Sequence, residues 1–125
     1  MKKRITVTRD GTEYKITLDV DKDILLYDGQ GIDDTRWTDF YVHETKSGEC
    51  HFYRYDGTRW QGEHSTIEPI SKEEFFDQCP ADWYDKFIEN NERGMHHAQN
   101  DKEAKPIILE RRLVEKIIKM DVPEL

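Results

Sequence analysis

The chain has few cysteines, few prolines and no long apolar run. Its 125 residues include four prolines and two cysteines, Cys50 and Cys79, which lie far apart and form no CxxC pair. This excludes a disulfide-stapled scaffold and favours free thiols in a reducing compartment. No segment approaches the roughly 20 apolar residues that a membrane-spanning helix needs. The N-terminal stretch MKKRITVTRD is basic but lacks the apolar segment of a signal peptide, so we expect a cytoplasmic protein.

Motifs that carry common chemistry are also missing. The sequence contains no glycine-rich phosphate loop followed by a helix, no GxSxG and no HExxH. The segment DVDKD at 19–23 places acids at alternate positions, as a calcium loop does, but the sixth loop position is Ile24 and the twelfth is Gln30. A calcium loop needs glycine and glutamate there. We therefore expect no catalytic residues, no cofactor and no metal ligands.

The charge is strongly acidic and evenly spread. The 27 acidic and 19 basic side chains give a net charge of −8, and no basic tail or stripe stands out. This argues against direct binding to the phosphates of nucleic acid. It fits a soluble protein, and as a further alternative an acidic inhibitor that imitates nucleic acid and occupies a basic partner.

A first hairpin is predicted around Asp10-Gly11. The segment RITVTRDGTEYKITLDV alternates apolar and polar residues on both sides of this pair, which favours a two-residue type I′ turn. Arg9 then lies opposite Thr12. The apolar residues that share one face are Ile5, Val7, Tyr14, Ile16, Leu18 and Val20.

The segment 23–70 predicts a second group of strands. A short strand at 23–29 is followed by a hairpin with a two-residue turn at Ser47-Gly48, which places Thr45 opposite Cys50. A further turn is expected at Asp56-Gly57, and 65–70 extends the sheet. The predicted sheet therefore has five to six antiparallel strands within residues 1–70.

The C-terminal part predicts helices. Ser71 and Glu74 form the capping box S-x-x-E, and Pro80 separates this first helix from a second that carries an apolar stripe. Residues 92–106 are predicted to form a polar linker. Apolar residues recur at helical spacing over 107–120, which predicts a further helix. We therefore predict one α+β domain over 1–125, in which two to three helices of the 71–125 part pack on one face of the sheet.

The predicted pairing places aromatic residues on both faces of the sheet. Helices cover only one of them, with Trp60 in the shared core. The opposite face combines tryptophan, tyrosine and arginine, the composition of interface hot spots. Its predicted contact residues are Trp37, Tyr41, Phe52, Arg54 and Arg59. An alternative left open is that the 28–36 loop or the 92–106 linker covers this face. We expect a non-enzymatic module that binds another protein or a second copy of itself, as a homodimer.

Two other patterns bear on function. His43, Cys50 and Glu63 come close together in the predicted pairing, which offers an alternative as a small enzyme or metal-binding protein. The tripeptide Thr-Arg-Trp occurs twice, in YDGTRW at 55–60 and in YDGQGIDDTRW at 27–37. Because the predicted pairing directs Trp37 and Trp60 to opposite faces, we interpret the recurrence as shared turn chemistry rather than a duplicated binding element.

Overall fold

The computed structural model describes residues 1–29, 35–89 and 112–120. Strands come first and helices last, which confirms the α+β class. The strands form two antiparallel sheets, one with the order β1-β2 and one with the order β3-β4-β5-β6. Their bounds are β1 Lys2–Arg9, β2 Thr12–Asp19, β3 Ile24–Tyr27, β4 Arg36–Glu44, β5 Cys50–Thr58 and β6 Thr66–Ile70. The helices are α1 Lys72–Gln78, α2 at 83–89 and α3 at 112–120. The predicted linker at 92–106 lies outside the described residues.

The first hairpin forms as the sequence predicts. Asp10 and Gly11 both have positive φ, 49° and 78°, as a type I′ turn requires at its two central positions. Arg9 lies opposite Thr12, and the pairing continues without a shift to Lys2 opposite Asp19. The predicted register of β1 and β2 is therefore confirmed.

The predicted register of β4 and β5 is wrong by one residue. The N–H of Thr45 donates to the carbonyl of Glu49 at 2.9 Å, so the turn contains three residues instead of two. Gly48 has φ 87°, the left-handed position that completes a three-residue hairpin loop. As a result Glu44, and not Thr45, lies opposite Cys50. A slip of one residue changes which side chains share a face.

The turn expected at Asp56-Gly57 is also wrong. Both residues lie inside β5, which continues to Thr58. The chain turns later, where the N–H of Glu63 donates to the carbonyl of Trp60 at 3.2 Å, and Gly62 has φ 85°. Strand β6 then pairs with β5, in a register that places Ile67 opposite Tyr55. The four strands β3 to β6 therefore form one meander.

Both faces of the four-stranded sheet are covered. The β1-β2 hairpin packs on one face, where Ile16 and Leu18 join Tyr41, Tyr53 and Ile67 in a buried cluster. Helix α1 covers the other face, because the ring of Phe75 stacks on Phe52 at 4.7 Å between centroids. The face expected to remain free is thus occupied by the N-terminal hairpin.

Helix α1 begins at the predicted capping box. Ser71 Oγ accepts the N–H of Glu74 at 3.0 Å, and Glu74 Oε1 accepts the N–H of Ser71 at 3.2 Å. These two bonds satisfy N–H groups that the first turn of a helix leaves without an intrahelical partner.

The chain divides into two compact units, Met1–Asp77 and Gln78–Leu125. In the second unit α2 buries Trp83 and Phe87, and α3 buries Leu113, Val114 and Ile117. That the whole chain forms a single domain stays a prediction. In the described ranges no helix has the length and apolar character needed to cross a membrane.

Candidate functional site

The two Thr-Arg-Trp tripeptides lie side by side at one end of the β4-β5 strand pair. Arg36 is paired with Thr58, and the N–H of Arg59 donates to the carbonyl of Thr35 at 2.9 Å. The copies are antiparallel, so each arginine comes next to the tryptophan of the other copy. The recurrence therefore has a structural meaning that the sequence analysis missed.

Each arginine stacks on the other copy's tryptophan. The guanidinium carbon of Arg36 lies 5.7 Å from the ring centre of Trp60, and that of Arg59 lies 5.3 Å from the ring centre of Trp37. Both distances are within the range of cation–π attraction. Successive side chains of a strand alternate in direction, so the pairs lie on opposite sides of the strand pair. These four residues form the Thr-Arg-Trp surface.

A network of hydrogen bonds holds the Arg36–Trp60 pair. Glu63 accepts from the Arg36 guanidinium through both of its carboxylate oxygens, and Oε2 also accepts from Thr58 Oγ1 at 2.7 Å. Thr58 Oγ1 in turn accepts the N–H of Trp60 at 3.1 Å. The bonds from Arg36 and Thr58 lower the pKa of Glu63 to about 2. Glu63 is therefore a carboxylate at neutral pH, and the turn that carries Trp60 is bonded to β4.

The Trp37–Arg59 pair lies on the other side of the strands, where Gly57 and Asp39 contact the Trp37 ring. Gly57 lies opposite Trp37, and a Cβ at Gly57 would lie 2.2 Å from the indole Cε2. Only a residue without a side chain therefore leaves room for this ring. The indole Nε1–H donates to Asp39 Oδ2 at 3.1 Å, which fixes the orientation of the ring.

Asp39 connects this tryptophan to the end of β3. Its Oδ1 accepts the N–H of Gly29 at 2.8 Å, and the residue is 7% exposed. Burial raises the pKa of Asp39 to about 6; the Gly29 bond opposes this shift and the nearby Asp28 carboxylate adds to it. Asp39 thus changes its charge close to pH 6 while it touches Trp37.

The structure separates the predicted contact residues. Tyr41 and Phe52 are 9% and 4% exposed, one in the cluster beneath the hairpin and the other beneath α1. Arg54 Nε donates to Asp56 at 3.0 Å, on the same side as Phe52. The predicted single exposed face is therefore wrong for two reasons. Phe52 and Arg54 lie on the other face because the turn at Ser47-Gly48 has three residues, and Tyr41 shares the face of Trp37 but is buried beneath the hairpin. Whether Trp37 and Arg59 bind a partner stays a prediction.

Trp60 is not in the core. It is 54% exposed, whereas the turn predicted at Asp56-Gly57 would have directed it inward opposite Tyr53. Since β5 continues to Thr58, Trp60 lies beyond the strand and outside the core.

The group His43, Cys50 and Glu63 is not assembled. Glu63 contacts Arg36 at one end of the strand pair, whereas His43 and Cys50 lie near the turn at the other end. His43 is paired with His51 and Cys50 with Glu44, so the alternation of side chains directs His43 and Cys50 to opposite faces. The predicted grouping is wrong, because it depended on a two-residue turn at Ser47-Gly48 for His43 and Cys50 and on a turn at Asp56-Gly57 for Glu63.

His43 has a different partner. Its Nδ1 lies 2.8 Å from Asp23 Oδ1, and Asp23 Oδ2 accepts from the Tyr53 hydroxyl at 2.8 Å and from the N–H of Asp19 at 2.8 Å. Burial and the Asp23 bond raise the pKa of Tyr53 far above its ordinary value, so the hydroxyl remains a donor. The acids of DVDKD thus order a connection between strands.

His51 Nε2 lies 2.8 Å from Glu49 Oε1, a carboxylate that also contacts Arg9. Burial lowers the pKa of His51, and the neighbouring His43 and Arg9 lower it further. In the part of the chain that the structure describes, no group of three or more His, Cys, Asp or Glu residues is placed to hold a metal ion. His96 and His97 lie outside that part.

No protein-family model, no curated protein and no solved structure matches this chain.

Proposed function

We propose that this chain is a non-enzymatic protein-binding module and that the Thr-Arg-Trp surface is its contact site. The observation that carries the proposal is the exposure of Trp60, which is 54% exposed although it is large and apolar. Tryptophan and arginine are the residues most enriched where interface contacts contribute most to affinity. Arg36 and Trp60 combine both in one exposed pair.

The site is already ordered without a partner. Arg36, Thr58 and Glu63 hold the turn that carries Trp60 through four hydrogen bonds. A partner therefore loses less binding free energy to the ordering of these side chains than it would on a flexible loop. This preorganisation suits a contact site better than an incidental surface turn.

The arginines indicate the chemistry of the partner. Arg36 has Glu63 as a counter-ion, but among the described residues no carboxylate forms an ion pair with Arg59. The Arg59 guanidinium stacks on Trp37 and keeps its donors for an acceptor outside this set. Because Arg59 and Trp60 belong to pairs on opposite sides of the strands, we expect a partner that encloses this end of the strand pair, with a carboxylate on Arg59 and an apolar group on Trp60.

Trp60→Ala tests the proposal. With the natural partner captured by the parent protein, we expect the variant to lower the affinity by about tenfold or more, because hot-spot truncations cost roughly 2 kcal/mol or more. The free energy of unfolding should change by no more than about 0.5 kcal/mol, since the side chain is largely in water. Leu25→Ala is the control, because Leu25 is also an exposed apolar residue, 38% exposed, and lies on β3.

Arg59→Ala provides a second variant. It removes the guanidinium without touching the Glu63 network, and it should also weaken capture. If both variants hold the partner as tightly as the parent and the Leu25→Ala control, the proposed surface is wrong.

The net charge of −8 supports a second candidate function, an acidic inhibitor of a basic partner. Its contact surface would consist of carboxylates instead of the Thr-Arg-Trp surface. The two functions differ in two results. The Trp60→Ala variant of an inhibitor of this kind still binds its partner, and its binding weakens as the salt concentration rises.

A further inference from the structure

Two of the four free strand edges in the described part of the chain are protected against pairing with another strand. In β6, Pro69 has no N–H to donate, and Lys3 Nζ donates to the carbonyl of Ile67 at 3.1 Å. Strand β3 is only four residues long and its register shifts between Leu25 and Tyr27. Proline, an edge lysine, shortness and irregularity are devices that keep edges from accepting a further strand.

The two edges of the β1-β2 sheet have neither a proline nor an irregular register. Both strands are eight residues long, regular and free of proline. The two-residue turn makes Arg9 and Thr12 a hydrogen-bonded pair. Pairs then alternate along the hairpin, so Glu13, Lys15 and Thr17 direct their backbone N–H and C=O groups away from β1, toward the free edge of β2.

The free edge of β2 has a defined end. At Asp19 the N–H donates to Asp23 Oδ2 at 2.8 Å, and the carbonyl accepts from the N–H groups of Lys22 and Asp23. The open stretch therefore runs from Glu13 to Thr17. The corresponding edge of β1 carries Lys2 and Arg4, two cations that repel a second copy of the same edge.

The open stretch of β2 is complementary to itself. In an antiparallel pair of two copies centred on Tyr14, Glu13 lies opposite Lys15 of the second copy, and Lys15 lies opposite its Glu13. Opposite charges directly across an antiparallel pair are stabilising. Tyr14 then meets its own copy in a non-hydrogen-bonded pair, where side chains come closest. Tyr14 is 54% exposed, so burial of its ring favours this contact.

We propose that two copies of the chain pair through the free edges of β2, in the register that places Glu13 opposite Lys15. The result is a four-stranded antiparallel sheet with the order β1-β2-β2-β1 across a two-fold axis. This contact is separate from the Thr-Arg-Trp surface, which leaves that surface available to a different partner.

A charge exchange tests the register. Glu13→Lys puts four lysines across the axis and Lys15→Glu puts four glutamates there, so each variant should weaken the dimer by about tenfold or more in sedimentation equilibrium. An equal mixture of the two variants restores both opposite-charge pairs and should form a heterodimer. The double variant Glu13→Lys/Lys15→Glu should dimerise like the parent.

Arg4→Glu is the matched control, because it makes the same change of charge as Lys15→Glu on the exposed face of β1. It should leave the dimer unchanged. Amide hydrogen exchange in the parent protein tests the same contact without any substitution. The amides of Glu13 and Lys15 should be protected as concentration rises, while those of Thr6 and Thr8, which point outward from β1, should exchange fast.

A parent chain that stays monomeric at all concentrations would overturn the inference. So would single variants that dimerise like the parent, or amides of Glu13 and Lys15 that exchange as fast as those of Thr6 and Thr8. These results would not bear on partner binding by the Thr-Arg-Trp surface, since that surface and the free edge of β2 share no residue.

Discussion

The ring of Trp37 lies against the backbone of Gly57, its cross-strand neighbour, and occupies the space where any other residue would carry its Cβ. This contact explains why a glycine occurs in the interior of β5, where it weakens strand pairing by itself. The aromatic ring replaces the missing side chain and at the same time supports Arg59.

Gly57→Ala should therefore destabilise the protein. The added methyl group would lie 2.2 Å from the Trp37 ring, and the ring cannot withdraw without losing its bond to Asp39. Overpacking of this kind costs roughly 1–3 kcal/mol, measured by urea unfolding. In a Trp37→Ala background the same substitution should cost far less. If the two costs are equal, the ring does not lie over Gly57.

Tyr53→Phe tests the buried contacts of Asp23. The substitution removes the hydroxyl that donates to Asp23 Oδ2 and leaves a carboxylate oxygen with one donor fewer in a buried environment. A loss of about 1–3 kcal/mol in the free energy of unfolding is expected. Tyr14→Phe removes a hydroxyl from an exposed ring and should cost close to nothing. Equal losses in the two variants would contradict the assignment.

The raised pKa of Asp39 should make the free energy of unfolding depend on pH in a specific way. Its pKa is about 6 in the folded protein against 3.8 for the unperturbed group, so the folded state binds a proton more tightly than the unfolded state. The resulting stabilisation is fully present below about pH 4 and is lost as pH rises through about 6. Relative to Asp39→Asn, the parent should lose on the order of 1–3 kcal/mol over this interval.

The comparison needs urea unfolding of both proteins at several pH values between 4 and 7. Asp85→Asn, at an exposed position of α2, is the control. The difference in free energy of unfolding between this variant and the parent should be the same at every pH. If the difference in free energy of unfolding between the parent and Asp39→Asn is also the same at every pH, the pKa of Asp39 is not raised in the folded protein.

Local signals in the sequence were sufficient for the first hairpin and for the start of α1. Asp10-Gly11 has one favoured turn type, and that turn alone sets the register of β1 and β2. Ser71 and Glu74 act within one helical turn. In both cases the residues that decide the structure are neighbours in the chain.

The second hairpin could not be predicted in this way. Ser47-Gly48 fits either a two-residue or a three-residue turn, and the choice shifts every pair of β4 and β5 by one position. Asp56-Gly57 has the composition of a turn, but Gly57 is needed beneath Trp37. A contact between strands therefore overrides the local preference at Asp56-Gly57, and the register shift at Ser47-Gly48 separates the predicted contact residues.

The sequence does carry one signal for the candidate site. The two Thr-Arg-Trp copies lie at nearly equal distances on either side of the 46–48 turn, so a three-residue turn brings them together in antiparallel register. Shared turn chemistry alone does not account for this symmetry. Long-range cation–π pairs leave no other mark in a single sequence.

The most direct test of the account is photo-crosslinking from position 60. A photoreactive phenylalanine replaces Trp60 in one protein and Lys46 in another; Lys46 is exposed at the opposite end of the β4-β5 pair. After irradiation in native extract, position 60 should yield a crosslinked protein partner that is competed away by excess unlabelled parent but not by excess Arg59→Ala. Position 46 should yield none. An equal yield from both positions, or competition by Arg59→Ala as strong as by the parent, would contradict a binding role for the Thr-Arg-Trp surface.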